Sequence, residues 1–288
     1  MGNLNYHCKW RLELAKKICE KIRGVEGTKG IRAIIVGGSV ARGYADEYSD
    51  IEIPIFWEEL PNEKLRKLIV KELNAEFFYP YNHEAREDNI IVNELRIDLW
   101  HITLEQEEQV IKSVIEDFEI DFGSSNAIDT IRTCIPIFGE EIISSWKTKA
   151  KEYPKQIAIS SINKALQSID STQVELLIQR ENSTLLFEHI ANLQKNIFII
   201  LLALNKEYFP TFKWMYKSLE GFKIKPDNVE QRFRDVFNYS IKEAYENTLA
   251  ILFETIDMIN NIYPEVNTNI VLSKLKSARI PHLQPIDI

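Results

Sequence analysis

Cysteine is scarce in this chain, and the three present, Cys8, Cys19 and Cys134, are widely spaced with no CxxC pair. That leaves no disulfide framework to read and points to a reducing, cytosolic compartment. The five histidines (His7, His83, His101, His189 and His282) have no zinc-type spacing and read as surface or satisfied core residues. There is no basic tail and no long lysine or arginine run, and the net charge is −8. Phosphate neutralisation dominates nucleic-acid affinity, so this balance argues against a nucleic-acid substrate. An acidic surface suits a cationic or neutral small acceptor instead. No signal peptide is visible, and the longest continuous apolar run, Ile197 to Leu204, is far too short to cross a bilayer. A soluble protein without a membrane partner is expected. Internal repeats and low-complexity linkers are also missing.

What is present is a chain of 288 residues, 45 % hydrophobic, enough for one or two well-buried domains. Its most informative stretch runs from Ile34 to Ile53. A β-branched apolar run ends in Gly37-Gly38-Ser39, a polar turn follows, and Asp50 and Glu52 then appear inside a second apolar run. Strand side chains alternate between faces, so Asp50 and Glu52 share one face while Ile51, Ile53 and Ile55 take the other. Two carboxylates side by side call for a cation, and Mg²⁺ is the natural partner for hard oxygen ligands and phosphates. The two glycines allow close backbone approach to a ligand. Ser39 is a fitting N-cap for a short helix through Val40, Ala41 and Arg42 whose N–H groups would face an anion.

A third carboxylate lies farther on. Asn89–Val92 and Leu95–Ile102 read as two strands joined by a turn at Asn93-Glu94. Arg96, Asp98 and Trp100 share one face of the second strand, which leaves Asp98 as an acid inside an apolar strand. An unpaired charge there is costly, and a metal or Arg96 would remove the cost. Glu84, Glu87 and Asp88 read as a solvated loop before this hairpin. Pro54 is placed near the end of an edge strand, where a missing N–H is tolerated.

Together these residues resemble the signature of the DNA polymerase β-like nucleotidyltransferase superfamily: a glycine–serine turn, a spacer, two carboxylates one residue apart and a third on a later strand. Within it, Gly37-Gly38-Ser39 and Tyr48-Ser49-Asp50-Ile51-Glu52-Ile53 are similar to the aminoglycoside nucleotidyltransferases. Glu52 departs from the commoner aspartate. The resemblance covers about residues 34 to 102. It implies that Gly38, Ser39 and Ser49 contact phosphate, with Gly37 and Arg42 beside them, and that Asp50 and Glu52 bind metal. It implies that Asp98 binds metal or acts as the base. Two Mg²⁺ ions and a nucleoside triphosphate, ATP by preference, are the implied cofactor and co-substrate. The implied reaction is adenylyl transfer to a hydroxyl of a small molecule, as in antibiotic-modifying enzymes. Open alternatives are adenylylation of a protein, synthesis of signalling oligonucleotides, and a non-catalytic nucleotide-binding or antitoxin module.

The character of the chain changes once. Residues 5–23 read as an amphipathic helix, followed by the signature strands, a helix at 62–73, a strand near 76–79 and the hairpin. Thr103 can cap a helix starting at Leu104, and from there the period is almost wholly helical, in segments at 104–118, 124–134, 139–152, 155–180, 182–206 and 228–260. The expected class is therefore α+β: a mixed-sheet nucleotidyltransferase domain over 1–138 and an all-α helical bundle over 139–288. One helical segment stands apart, Asn205 to Met215, which interrupts a helix with Pro210 and crowds Tyr208, Phe209, Phe212 and Trp214 around Lys206 and Lys213. It reads either as an inter-helix turn packed on the core or as a second wall of the site, with Lys213 reaching the triphosphate. The acceptor and the oligomeric state are not legible.

Overall fold

In the computed structural model, which describes residues 4–170 and 173–276, the sheet is built from strands that arrive from both directions. Its six strands are β1 (Ile31–Val36), β2 (Ile51–Trp57), β3 (Glu76–Phe77), β4 (Glu87–Val92), β5 (Leu95–Thr103) and β6 (Ile135–Phe138), in the order β3-β4-β5-β2-β1-β6. Every neighbouring pair is antiparallel except β2 and β5, which run parallel. The first helices are α1 (Tyr6–Gly24), α2 (Gly38–Arg42), α3 (Glu63–Glu72), α4 (Leu104–Ile115), α5 (Phe122–Thr133) and α6 (Glu140–Ala150). The protein is thus a mixed α/β chain with one mixed sheet and a long helical continuation.

The caps explain the helix starts. Asn5 and Asn62 each accept a backbone N–H at the first turn of α1 and α3. Thr103 forms a capping box with Gln106 and starts α4 directly off the end of β5. The β4–β5 turn has Asn93 and Glu94 both at positive φ, the geometry of a two-residue type I′ hairpin.

One face of the sheet is apolar. Ile51, Ile53, Ile55 and Trp57 of β2 and Ile97 and Leu99 of β5 join Ile18 and Ile22 of α1 and Ile69 and Val70 of α3 in a single core. Inside that layer lies a buried polar chain. Arg66 of α3 donates to both Asp88 oxygens at 2.9 and 2.7 Å, His101 Nε2 lies 2.9 Å from Asp88 Oδ2, and Trp57 Nε1 donates to His101 Nδ1 at 3.2 Å. Because the indole N–H is a donor, His101 Nδ1 is the acceptor and Nε2–H donates to Asp88: a neutral histidine. Burial pulls the His101 pKa down in agreement. Asp88 is a strand residue of the core here, not part of a solvated loop, because Arg66 and His101 supply the donors its burial requires.

Two other expectations are corrected. Pro54 lies on a central strand, between β5 and β1. Gly37 N–H donates to the Glu52 carbonyl, so the backbone polar groups of Glu52 and, two residues on, Pro54 face β1. The missing N–H is therefore lost from the β1 side and leaves the parallel β2–β5 ladder whole. The almost wholly helical reading after Thr103 also gives way at one point: 135–138, between two of the helical segments, forms β6 and pairs with β1 at the sheet edge.

By packing, the chain divides into two units: residues up to Glu119 with Gly123–Glu152, and Ile120–Phe122 with the residues from Tyr153 on. The second unit is helical, with α7 (Lys155–Ser168), α8 (Val174–Gln179), α9 (Ser183–Leu204), α10 (Met215–Gly221), α11 (Val229–Asp235), α12 (Ile241–Ile262) and α13 (Asn269–Lys276). The segment expected as one helix over 155–180 is two helices, and that over 228–260 breaks at residues 236–240. Ile197, Phe198 and Leu201 of α9 pack with Ile162 of α7 and Ile251 and Leu252 of α12. By length and composition α9 also meets the requirement for a bilayer span, but half of that stretch is buried inside the protein. His282 lies outside the described residues.

Two outcomes are expected. Asp88→Ala strips the buried Arg66 of its carboxylate, leaving it the Ala85 and Glu87 carbonyls, and leaves His101 Nε2 without its acceptor; it should cost about 3–5 kcal/mol in urea unfolding, whereas Asp88→Asn, which keeps an acceptor, costs less. A loss below about 1 kcal/mol for the alanine variant would rule out this network as a structural support. Glu107 of α4 is buried, and burial pushes its pKa up to about 7 from 4.5. A raised carboxyl pKa favours the protonated native state, so stability should fall as pH rises from 4.5 to about 7 and then level off. The full span amounts to roughly 3 kcal/mol, and Glu107→Gln should abolish this slope in unfolding curves across that range.

Candidate active site

The parallel pairing of β2 with β5 assembles the site. Its register sets Ile51 opposite Ile97 and Glu52 opposite Asp98, and β4 sets Asn89 opposite Asp98 and Glu87 opposite Trp100. Directly paired residues share a face. The face opposite the apolar core therefore carries Glu52, Asp98, Asn89 and Glu87, with Asp50 one step before β2 on the side of Arg96.

The glycine turn sits on this acidic strand. A Cβ at Gly38 would come within 2.5 Å of the Glu52 carboxyl carbon, and one at Gly37 would lie 3.8 Å from Glu52 Oε2. Gly38 also has φ +55, where an L side chain is strained. Only glycine satisfies both demands. The N-cap of α2 is Gly37, so Ser39 falls inside the first turn of the helix and not at its cap, contrary to the sequence reading. Ser39 is buried, and its carbonyl accepts the N–H groups of Tyr44 and Ala45 at 2.9 and 3.1 Å, closing the loop that returns to β2.

Arg11 holds that loop from the other side. Its Nε donates to the Ser49 carbonyl at 2.8 Å and its Nη2 to the Glu47 carbonyl at 3.3 Å, while the guanidinium lies 4.1 Å from the Trp10 ring. Burial lowers its pKa, and the charges of Asp46, Cys8 and Asp50 oppose that shift. Arg11 was absent from the sequence reading. The signal was there: Arg11 takes an apolar-stripe position of α1, in line with Cys8, Ala15, Ile18 and Ile22. Ser49 closes an Asx-type turn, its hydroxyl accepting from Asp46 N–H and donating to Asp46 Oδ1, both at 2.9 Å.

Asp98 is buried and its Oδ1 is doubly held, by Asn89 Nδ2 at 2.6 Å and Arg96 Nε at 3.1 Å. The second hydrogen of the same amide goes to Glu87 Oε1 at 2.6 Å, so Asn89 ties two carboxylates together. Burial raises the Glu87 pKa; Asn89 opposes this and the charges of Asp98 and Asp50 add to it. Glu87 thus belongs to the strand and to the acidic face, not to a solvated loop. Alternation counted back from Asn89 would have found it.

Arg42 does not face an open anion site. Its side chain is buried and ion-paired with Asp129 of α5, and its Nε has no hydrogen-bond partner. Lys213 belongs to the second unit, in a short turn at Phe212–Trp214, exposed, with its ammonium 5.7 Å from the Trp214 ring. Around it Phe209 and Phe212 pack on each other and on Phe122, and Phe212 on Phe198. The preceding Thr211 has φ 86, a strained value for a β-branched residue.

The donor chemistry and register fit a hard divalent cation: oxygen ligands from neighbouring positions of two paired strands. The side-chain directions are those of acids satisfied by the protein, with Glu52 against the glycine turn and Asp98 on Arg96 and Asn89. Among the described residues, no three His, Cys, Asp or Glu side chains are gathered as a metal centre.

A family model described as a domain of unknown function (DUF4037) matches residues 134–215. No curated protein matches the chain. Among solved structures, a nucleotidyltransferase-like protein from Exiguobacterium sibiricum aligns over 90 % of this chain and 78 % of its own, with 9 % identity and a TM-score of 0.42. A CCA-adding enzyme solved with CTP aligns over 96 % of this chain and 70 % of its own, with 15 % identity and a TM-score of 0.32.

The close approach of Gly38 and Glu52 gives a direct test. Gly38→Ala should cost about 1–2 kcal/mol through its positive φ and push the Glu52 carboxylate away. Combining it with Glu52→Asp, whose shorter side chain leaves room, should recover part of the loss in a double-mutant unfolding cycle. Strict additivity of the two substitutions would exclude the contact.

Proposed function

We propose that this protein transfers a nucleoside monophosphate, AMP by preference, from a nucleoside triphosphate to a hydroxyl of a small molecule. The observation that carries the reading is the register that sets Glu52 beside Asp98, with a glycine turn seated directly on Glu52. The turn at Gly37 and Gly38 lets backbone approach phosphate, with Ser39 and Ser49 beside it. Arg42 acts through α2, which its pair with Asp129 anchors. Asp50, Glu52 and Asp98 would hold Mg²⁺, which supplies charge neutralisation of the phosphates when bound.

In the reaction, the acceptor oxygen attacks the α-phosphorus in line. The bond from the α-phosphorus to the oxygen bridging the β-phosphate breaks, and pyrophosphate leaves with its electron pair. The hydroxyl proton passes to a carboxylate of the acidic face, Asp98 being the nearest to Glu52 in the register. Asn89 fixes one Asp98 oxygen and thereby orients the other. Such catalysis is mainly positioning and electrostatics, so a displaced carboxylate is expensive. A face rich in carboxylates favours a neutral or cationic acceptor such as a hydroxylated amine.

The test uses α-labelled ATP and the other nucleoside triphosphates with Mg²⁺ and a panel of hydroxylated amines, following pyrophosphate release and transfer of label. Wild-type protein should label one acceptor class, and Asp50→Ala should lower turnover by a factor on the order of 10³ while its unfolding curve stays close to wild type. Full turnover in Asp50→Ala would overturn this site assignment. Labelled nucleotide–nucleotide product without any acceptor would move the reading to oligonucleotide synthesis.

A further inference from the structure

Arg96 is hydrogen-bonded to Asp98 at the centre of the site, and its surroundings differ on its two sides. Toward the sheet its Nε donates to Asp98 Oδ1 at 3.1 Å, and Asp50, one residue before the β2–β5 register begins at Ile51 and Ile97, acts on it through its charge. Toward solvent its guanidinium lies 5.1 Å from the Phe78 ring and 5.7 Å from the Tyr79 ring, both exposed aromatics. The Arg96 side chain is 39 % exposed and that of Asp98 only 9 %. The guanidinium can therefore leave Asp98 and keep its aromatic rest, while Asn89 continues to hold the same Asp98 oxygen at 2.6 Å.

We propose that Arg96 is the resident counter-cation of the acidic face, and that a divalent cation enters this face only together with nucleotide phosphates. This rests on the nucleotidyl-transfer reading above. A lone divalent cation approaching Asp50 and Asp98 meets a guanidinium already neutralising them, and like charges at that range repel. A polyphosphate changes the balance, because its oxygens give the displaced guanidinium a new bidentate partner. Metal and nucleotide are then positively coupled through one side chain, and by linkage each raises the affinity for the other by the same factor. The arrangement also stabilises the protein before any ligand arrives, since Asp98 is never left as a buried, unpaired charge.

The experiment measures Mn²⁺ binding to the full chain by titration calorimetry and by the electron-spin signal of free Mn²⁺, with and without the non-hydrolysable analogue α,β-methylene-ATP. Wild-type protein should bind Mn²⁺ weakly alone and markedly more tightly with the analogue. Arg96→Met, which keeps the stem over the aromatic rings, should bind Mn²⁺ alone roughly tenfold more tightly and lose most of the enhancement by nucleotide. Arg96→Lys, which keeps the charge but not the bidentate fork, should keep Mn²⁺ binding weak without nucleotide and show a smaller enhancement with the analogue, and unfolding curves of both variants report that they are folded. Unchanged or weaker Mn²⁺ affinity in Arg96→Met overturns the proposal, as does an undiminished nucleotide enhancement. If neither wild type nor Arg96→Met binds Mn²⁺ with or without the analogue, the metal-dependent reading itself fails, and the role of Arg96 with it.

Discussion

The parallel pairing of β2 with β5 is the constraint on which the rest of the candidate site depends. Asp50 and Glu52 are forty-odd residues from Asp98 in the chain, and no local rule brings them together. The pairing does so by a single register, Glu52 opposite Asp98, and the same register drives Ile53, Ile55, Ile97 and Leu99 into the apolar core. A slip of one residue would put the carboxylates into that core and the isoleucines into water, so hydrophobic burial on one face fixes the geometry of the acids on the other. The Arg66–Asp88–His101–Trp57 chain adds polar contacts linking α3, β4, β5 and β2 beneath the same positions.

Holding four carboxylates on one face has an electrostatic cost, and the structure offsets it with donors of graded strength. Arg11 secures the chain just before Asp50 through two carbonyls. Asn89 divides its amide between Glu87 and Asp98. Arg96 supplies the positive charge. The neutral amide of Asn89 orients two acids without cancelling them, and the guanidinium hydrogen-bonded to Asp98 is partly exposed. The face is thus ordered but still strongly anionic, which is the condition for binding a cation–polyphosphate complex.

Much of this was legible in the residues themselves. The glycine turn, the acid pair and the Asn93-Glu94 hairpin are local, and their patterns of φ preference and alternation survive into the fold unchanged. The errors all arose where a tertiary neighbour overrides a local preference. Pro54 looked like an edge residue because a missing N–H is usually tolerated only there, but its loss falls on the β1 side of a central strand. Glu87 and Asp88 looked solvated because they are charged, yet Asp88 has Arg66 and His101 waiting in the core. Ser39 looked like a cap because serine is a good one, but Glu52 requires a glycine turn that starts the helix earlier. Arg11, which no sequence argument singled out, interrupts an apolar stripe of α1.

By itself the sequence determined which residues alternate, where the turns fall, which helices are capped and that carboxylates cluster near glycines, because these follow from backbone stereochemistry and a period of two or 3.6. Only the tertiary structure decided which carboxylates are neighbours and which cation each one faces. Strand order is a long-range choice, set by burying a whole face at once, and the partner of a charge depends on what that choice places within a few ångströms of it.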